Sequence, residues 1–193
     1  STYSDGVDDL RELALAVKDQ GYQYLGISDH SQSARYASGL FVDAIQRQHK
    51  EIDKLNKELS PFVILKGIES DILKDGSLDY ADDVLETFDF VIASVHSNFE
   101  LAKDEMTKRI IKAIENPYTK ILGHPTGRLL LQRQGYEIDM DAILEAAAKN
   151  NVAIEINANP KRLDLDLEFH KKAKKLGIPI PICPDAHSIE QIK

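Results

Sequence analysis

A chain of 193 residues with 24 Lys and Arg against 32 Asp and Glu carries a formal charge of −8, which argues against a surface built to coat nucleic acid and leaves any polyanion to be held locally. An apolar content of 42% over this length can bury one substantial core, so one domain spanning 1–193 is expected. The lone Cys183 excludes an internal disulfide, no apolar run approaches the roughly 20 residues that span a bilayer, and no basic-then-apolar leader opens the chain, so a cytoplasmic protein without a membrane partner is expected.

The first residues, Ser1-Thr2-Tyr3-Ser4-Asp5-Gly6, have loop composition, as if a strand stood just upstream. Val7 to Gln20 places Leu10, Leu13, Ala14 and Val17 on one helical face, with Gly21 as the stop. The apolar run YLGIS follows and leads into Asp29-His30. A second helix, Phe41 to Leu59, carries Ile45, Ile52, Leu55 and Leu59 and ends at Ser60-Pro61, before the β-rich run Phe62 to Ile68 and Glu69. FDFVIASV then precedes His96, a helix from Leu101 to Glu115 stops at Asn116-Pro117, and KILG precedes His124. The last units are a helix Met140 to Asn150, the run VAIEINA, a helix Leu167 to Leu176 closed by Gly177, and IPIPIC ahead of Asp185 and His187.

These apolar runs are near-continuous rather than alternating, which suits parallel strands covered on both faces. Regular exchange of strand and helix predicts an α/β fold with right-handed crossovers. Polar residues follow nearly every strand instead of flanking one switch point, which favours a barrel over an open sheet. Six strands are visible, so closure requires one more from outside these residues.

Parallel strands lying side by side bring their C-terminal ends together, and with them Asp5, His30, Glu69, His96, His124, Asp185 and His187. Imidazole with carboxylate suits Mn, Zn or Fe better than Ca, which prefers oxygen alone. Seven ligands exceed one four-coordinate ion, so two or more ions are implied, with Glu69 able to bridge them. Any one of these residues alone would read as a capping or loop residue; no packing rule puts imidazoles at the same end of four strands. Asp29 is expected to fix an imidazole rather than bind metal, and Asp71 to do the same or to be a hydrogen-bonded strand-end carboxylate. His49 and His170 sit at helical spacing among apolar residues and are expected to be half-buried and metal-free. Cys183 is expected to be a buried, inert thiol.

At these residues the chain resembles a known family. STYSDG, SDHS, GIESDIL, ASVHS, GHPTGRLL, INANPKRLDL and PDAHS, in this order and spacing, are similar to the PHP (polymerase and histidinol phosphatase) domain, most of all to the one that follows the polymerase core in bacterial and archaeal DNA polymerase X. The resemblance covers essentially the whole chain, and GHPTGRLL with INANPKRLDL is particular to that branch. It implies a distorted (β/α)7 TIM-like barrel whose first strand is missing here, a truncated PHP domain of a longer polymerase X chain, and two to three divalent ions. It also implies phosphoester hydrolysis, as a 3′ to 5′ exonuclease or end-processing activity in DNA repair, with DNA ends and the polymerase core as partners. Carried over by motif, Asp5, His30 and His187 hold one ion and Glu69, His96 and His124 a second. A third takes Glu69 and Asp185 with two histidines of an HxH motif that normally precedes the serine of STYSDG; its absence would impair the fragment.

The expected chemistry is attack of ion-activated water on a terminal phosphodiester, with Glu69, His96, His124, Asp185 and His187 as the catalytic set. No nucleophile elbow or P-loop appears. Arg128, Arg162 and Arg35 stand in loops after strands, where a guanidinium fork can grip phosphate, and Asn157 and Asn159 can orient substrate or form a turn before Pro160. Aromatic content of 7% without Trp argues against an extended base-stacking platform. Two rivals stand beside the nuclease: a small-molecule phosphatase of the histidinol phosphatase type, which the acidic charge favours, and a catalytically inactive structural PHP module.

Overall fold

A computed structural model describes residues 1–192. Five strands, β1 (Tyr24–His30), β2 (Val63–Asp71), β3 (Phe90–Ser94), β4 (Thr119–Leu122) and β5 (Ala153–Ile154), form a parallel sheet in chain order. The run VAIEINA continues past Glu155 as β6 (Ile156–Asn157), which pairs in parallel with β7 (Ile182–Cys183). One edge of this extended segment serves β4, since the Glu155 N–H donates to the Leu122 carbonyl (3.0 Å). The other edge serves β7, with Ile154 N–H donating to Pro179 O (3.1 Å) and Ile156 N–H to Pro181 O (2.8 Å). The six expected runs therefore lie in one parallel series. Pro179 accepts from β5 and Pro181 from β6, but neither has an N–H to give, which keeps β7 short.

The helices close where local chemistry dictates. Asp9 caps α1 (Leu10–Asp19) in a reciprocal capping box with Glu12, so the helix begins three residues after the expected Val7, which is 70% exposed. Next come α2 (Val42–Leu59), the short α3 (Asp82–Leu85), α4 (Lys103–Ile114), α5 (Met140–Asn150) and α6 (Leu167–Lys175). Apolar faces of α1 and α2 pack with Ile27 of β1 and Ile64 of β2 in one cluster. A second, larger cluster joins β2, β3 and β4 to α4 and α5 through Ile68, Val91, Ile110 and Ile143.

The ends of the series are drawn together. The Val7 N–H donates to the His187 carbonyl (2.9 Å) and the Ile189 N–H to Asp8 Oδ2 (2.7 Å), which ties the segment entering α1 to the segment leaving β7. The fold is α/β and TIM-like, as expected from the alternation of strand and helix. Among the described residues no helix is long and apolar enough to cross a membrane.

Candidate metal centre

Strand register sets the first contacts. His30, the last residue of β1, lies opposite Glu69 of β2, and Asp71 lies opposite Ser94 of β3. Because side chains alternate along a strand, Glu69 and Asp71 share the face that His30 looks toward, whereas Asp29 points the other way. Asp29 is accordingly buried against α2, accepting from Gln48 Nε2 (2.6 Å), Ser4 Oγ (2.6 Å) and Ser1 Oγ (2.8 Å). The expectation that it fixes an imidazole is corrected by that alternation: it anchors the N-terminal loop to the helix layer.

Glu69 is the centre of the arrangement. His124 Nε2 donates to its Oε1 (2.9 Å), His96 Nε2 lies 3.4 Å from the same oxygen, and His30 Nδ1 lies 3.4 Å from Oε2. Burial opposes ionisation of Glu69, but the His96 and His124 imidazoles outweigh it and hold the carboxyl well below its usual range. Burial likewise opposes a charge on His96, and Glu69 and Asp71 together overcome it, pushing this imidazole up to about 10. Asp71 takes the other His96 nitrogen, Nδ1–H to Oδ1 at 2.6 Å, and is itself held by the Ser33 hydroxyl (2.7 Å). Of the two readings open for Asp71, orienting an imidazole and being a hydrogen-bonded strand-end carboxylate, it combines both.

A second group adjoins the first. Asp5, His30 and His187 bring one donor atom each within 4.8 Å of one another, as do His30, Glu69 and His96, so His30 belongs to both. The hydrogen bond from Val7 to His187 places Asp5 beside the C-terminal segment, with Asp5 Oδ2 3.5 Å from His187 Nε2. Asp185, at φ 50°, accepts from Asn157 Nδ2 (3.0 Å) and lies 3.5 Å from Arg162 Nε. Six of the seven expected ligands thus come together, Asp5 from the N-terminal loop and the others from the C-terminal ends of strands, whereas Asp185 approaches only His187, at 4.0 Å from its Nδ1.

The donor set fits divalent transition ions. His30 Nδ1 and His124 Nδ1 are buried with no hydrogen-bond partner, on imidazoles that flank the Glu69 carboxylate, and an ion would satisfy them.

The three arginines separate. Arg162 sits beside Asp185, with its NH1 buried and without a hydrogen-bond partner. Arg128 is committed internally: its guanidinium donates to the Arg162 and Leu163 carbonyls and pairs with Asp166, clamping one loop to the next. The phosphate contact expected of it is corrected on that account, since few donors remain. Arg35 is exposed in a 3-10 turn, Arg35–Ala37. His49 packs edge-on against Phe88 and His170 meets the Leu165 carbonyl (3.2 Å), both away from the centre. Burial first, and then the Glu155 carboxylate, push the Cys183 thiol up to about 12, leaving it inert at neutral pH.

Four contributors escaped the sequence reading. Glu155 is buried beside His124, its Oε2 accepting from the His124 N–H (2.6 Å), and burial pushes it up to about 7. The signal was present, as a lone charge inside the apolar run VAIEINA. Asp164, fully buried, accepts from the Thr126 N–H and hydroxyl (both 2.9 Å) and from the Gly127 N–H (3.1 Å), fixing the turn after His124. Gly123 lets the end of β4 lie close to β3: a Cβ there would stand 2.5 Å from Ser94 Oγ and 2.8 Å from Ile92 Cγ2. Tyr36 stands over the imidazoles, 6.0 Å from His30 and 6.4 Å from His96 between ring centres.

Comparison with known proteins finds relatives along the whole length of the chain. The chain is 50% identical over 192 residues to the DNA polymerase/3'-5' exonuclease PolX of Bacillus subtilis; all of this chain is covered but only 34% of that protein, so it spans about a third of its relative's length. It is 37% identical over 187 residues to a probable phosphatase of Caldanaerobacter subterraneus, covering 91% of this chain and 68% of the relative. Among solved structures, a putative histidinol phosphatase from Listeria monocytogenes superposes with a TM-score of 0.75 at 16% identity, covering 97% of this chain and 92% of that one. The histidinol phosphate phosphatase of Lactococcus lactis, solved with Zn, L-histidinol and phosphate, superposes with a TM-score of 0.68 at 19% identity, covering 98% and 84%. With residues 1–159 matched by the PHP domain family, the chain belongs to that family.

Proposed function

We propose that the chain is a metal-dependent phosphoesterase, the portion of a polymerase X-type protein that removes nucleotides 3′ to 5′ from DNA ends. The observation that carries this reading is Glu69, a buried carboxylate with the ring nitrogens of His30, His96 and His124 within 3.4 Å of its oxygens. Two to three Mn, Zn or Fe ions would be held by Asp5, His30 and His187, by Glu69, His96 and His124, and beside Asp185. When bound, they would supply Lewis-acid stabilisation of phosphoryl oxygens and lower the pKa of water toward neutrality.

The protein's own residues do the rest. Asp71 holds the His96 ring through Nδ1 and so fixes which nitrogen faces Glu69. Asn157 and Arg162 hold the Asp185 carboxylate, and the unpartnered Arg162 nitrogen grips a phosphoryl oxygen. Glu155 fixes the backbone of His124 and so its reach to Glu69. The identity to the Bacillus subtilis PolX along the full chain supports a DNA end as substrate, with a polymerase core as partner. A small phosphomonoester is the second reading, favoured by the structural likeness to histidinol phosphatases over nearly the whole chain.

Purified protein supplied with Mn or Zn is assayed on a 3′-recessed labelled duplex and on histidinol phosphate. Stepwise release of mononucleotides is expected, reduced by about 100-fold or more in Glu69→Gln. Phosphate release from histidinol phosphate alone reverses the two readings. Hydrolysis of neither by metal-loaded protein overturns both and leaves the structural module.

A further inference from the structure

Tyr36 is 72% exposed, yet it stands within 6.4 Å of two imidazoles of the centre, to which its ring is inclined by 60° (His30) and 75° (His96). An exposed tyrosine by itself means little; Tyr22 and Tyr24 are exposed too, at the opposite end of β1 from His30. What sets Tyr36 apart is the rigidity of its support. Its neighbours Ala34 and Ala37 are buried, and the turn is laced by hydrogen bonds from Ala37 N–H and Gly39 N–H to Ala34 O and from Leu40 N–H to His30 O. Gly39 lies so close to Ser31 that a Cβ would fall 1.8 Å from its carbonyl oxygen. The loop is further braced by Asp79, which accepts from the Ser33 N–H (2.7 Å), and by the Tyr80 hydroxyl, which accepts from the Gln32 N–H (3.2 Å).

A rigid loop therefore holds one aromatic ring at the lip of the centre with its outer face open to solvent. Rings presented in this way bind planar ligands at little cost in conformational entropy, and stacking tolerates any base because every base has a π-face. From this geometry we infer that Tyr36 is a stacking platform for the planar ring of the substrate, the nucleobase adjoining the phosphoester to be cleaved. The inference rests on the phosphoesterase reading and deepens it. It concerns one ring at one position, which a low aromatic content permits where an extended platform is excluded.

Two measurements test it. In the first, metal-loaded protein cleaves a 3′ end carrying a base and the same end carrying an abasic tetrahydrofuran residue. Tyr36→Ala raises KM about tenfold for the base-bearing end with little change in kcat, raises it far less for the abasic end, and Tyr36→Phe restores the wild-type value. Equal effects on the two ends, or none, overturn the assignment. The second does not depend on hydrolysis. The chain has no Trp, so Tyr36→Trp installs a single indole reporter whose fluorescence is expected to be quenched by thymidine monophosphate and not by deoxyribose 5-phosphate. Quenching by both or by neither rejects stacking even if no substrate is cleaved, whereas absent cleavage with selective quenching counts against the phosphoesterase reading alone.

Discussion

Glu69, His96 and Asp71 form a chain in which the Glu69 carboxylate and the His96 imidazole each favour the other's charge, and Asp71 holds the far side of the imidazole ring. An ionised carboxylate taken out of water costs several kcal/mol unless it is paired, and here imidazoles from three different strands or strand ends supply the pairing. Asp71 is the outer member of the chain, and its hydrogen bond decides which His96 nitrogen turns toward Glu69. Asp71→Asn keeps the shape but replaces the charged acceptor by a neutral amide, and metal affinity is expected to fall about 10–100-fold with the fold retained. A metal titration of the folded variant checks this, and an unchanged affinity would show that His96 needs no orienting partner. The same residues mark what a sequence reveals. The candidate ligands were legible because all but Asp5 follow an apolar run; Asp29 was misjudged because it is adjacent to His30 in sequence and opposite to it across the strand. Arg128 was misjudged because loop position does not disclose which carbonyls a guanidinium will meet.

At the scale of elements, α2 shows how a helix can carry an imidazole with no part in the centre. His49 packs edge-on to Phe88 with ring centres 4.9 Å apart, and its Nε2 is buried without a partner. Burial first and Lys66 second depress its pKa, against weaker opposing pulls from Asp53 and Asp89. A depressed folded value means the unfolded chain takes the proton first. The neutral imidazole therefore leaves stability intact above about pH 6.5, and stability falls as pH drops through that value toward the lowered one, by at most about 1.4 kcal/mol per pH unit for one proton. His49→Gln removes this contribution, so its melting temperature should fall less than that of the wild type between about pH 8 and pH 5.5. Equal losses in thermal melts of the two proteins would show that His49 does not titrate with unfolding. Helix α2 itself was plain from its 3.6-residue periodicity, and α5 from Met140 to its stop at Asn151. The short α3 offered no periodicity to read, and the break at Glu155 arises because one segment must pair with β4 on one edge and β7 on the other.

Across the whole molecule, the candidate ligands come from the N-terminal loop and from the ends of β1, β2, β3, β4 and β7, so no two neighbouring secondary elements could assemble the centre alone. An ion bound there would act as a cross-strand staple. It would join segments whose separation along the chain reaches from Asp5 to His187, and it would add positive charge to a chain whose formal charge is −8. An ion that binds only the folded state stabilises it by mass action, about 2.7 kcal/mol at a hundredfold excess over Kd. For a domain of this size that corresponds to a rise in melting temperature of roughly 5–10 °C, expected with Mn or Zn and reversed by a chelator. His124→Ala removes a candidate ligand contributed from the end of β4 and should shrink the rise, whereas His170→Ala, away from the centre on α6, should leave it intact. If saturating ion leaves the melting temperature unmoved, or if both variants respond alike, the convergence of these strand ends is a feature of packing rather than a site that captures ions.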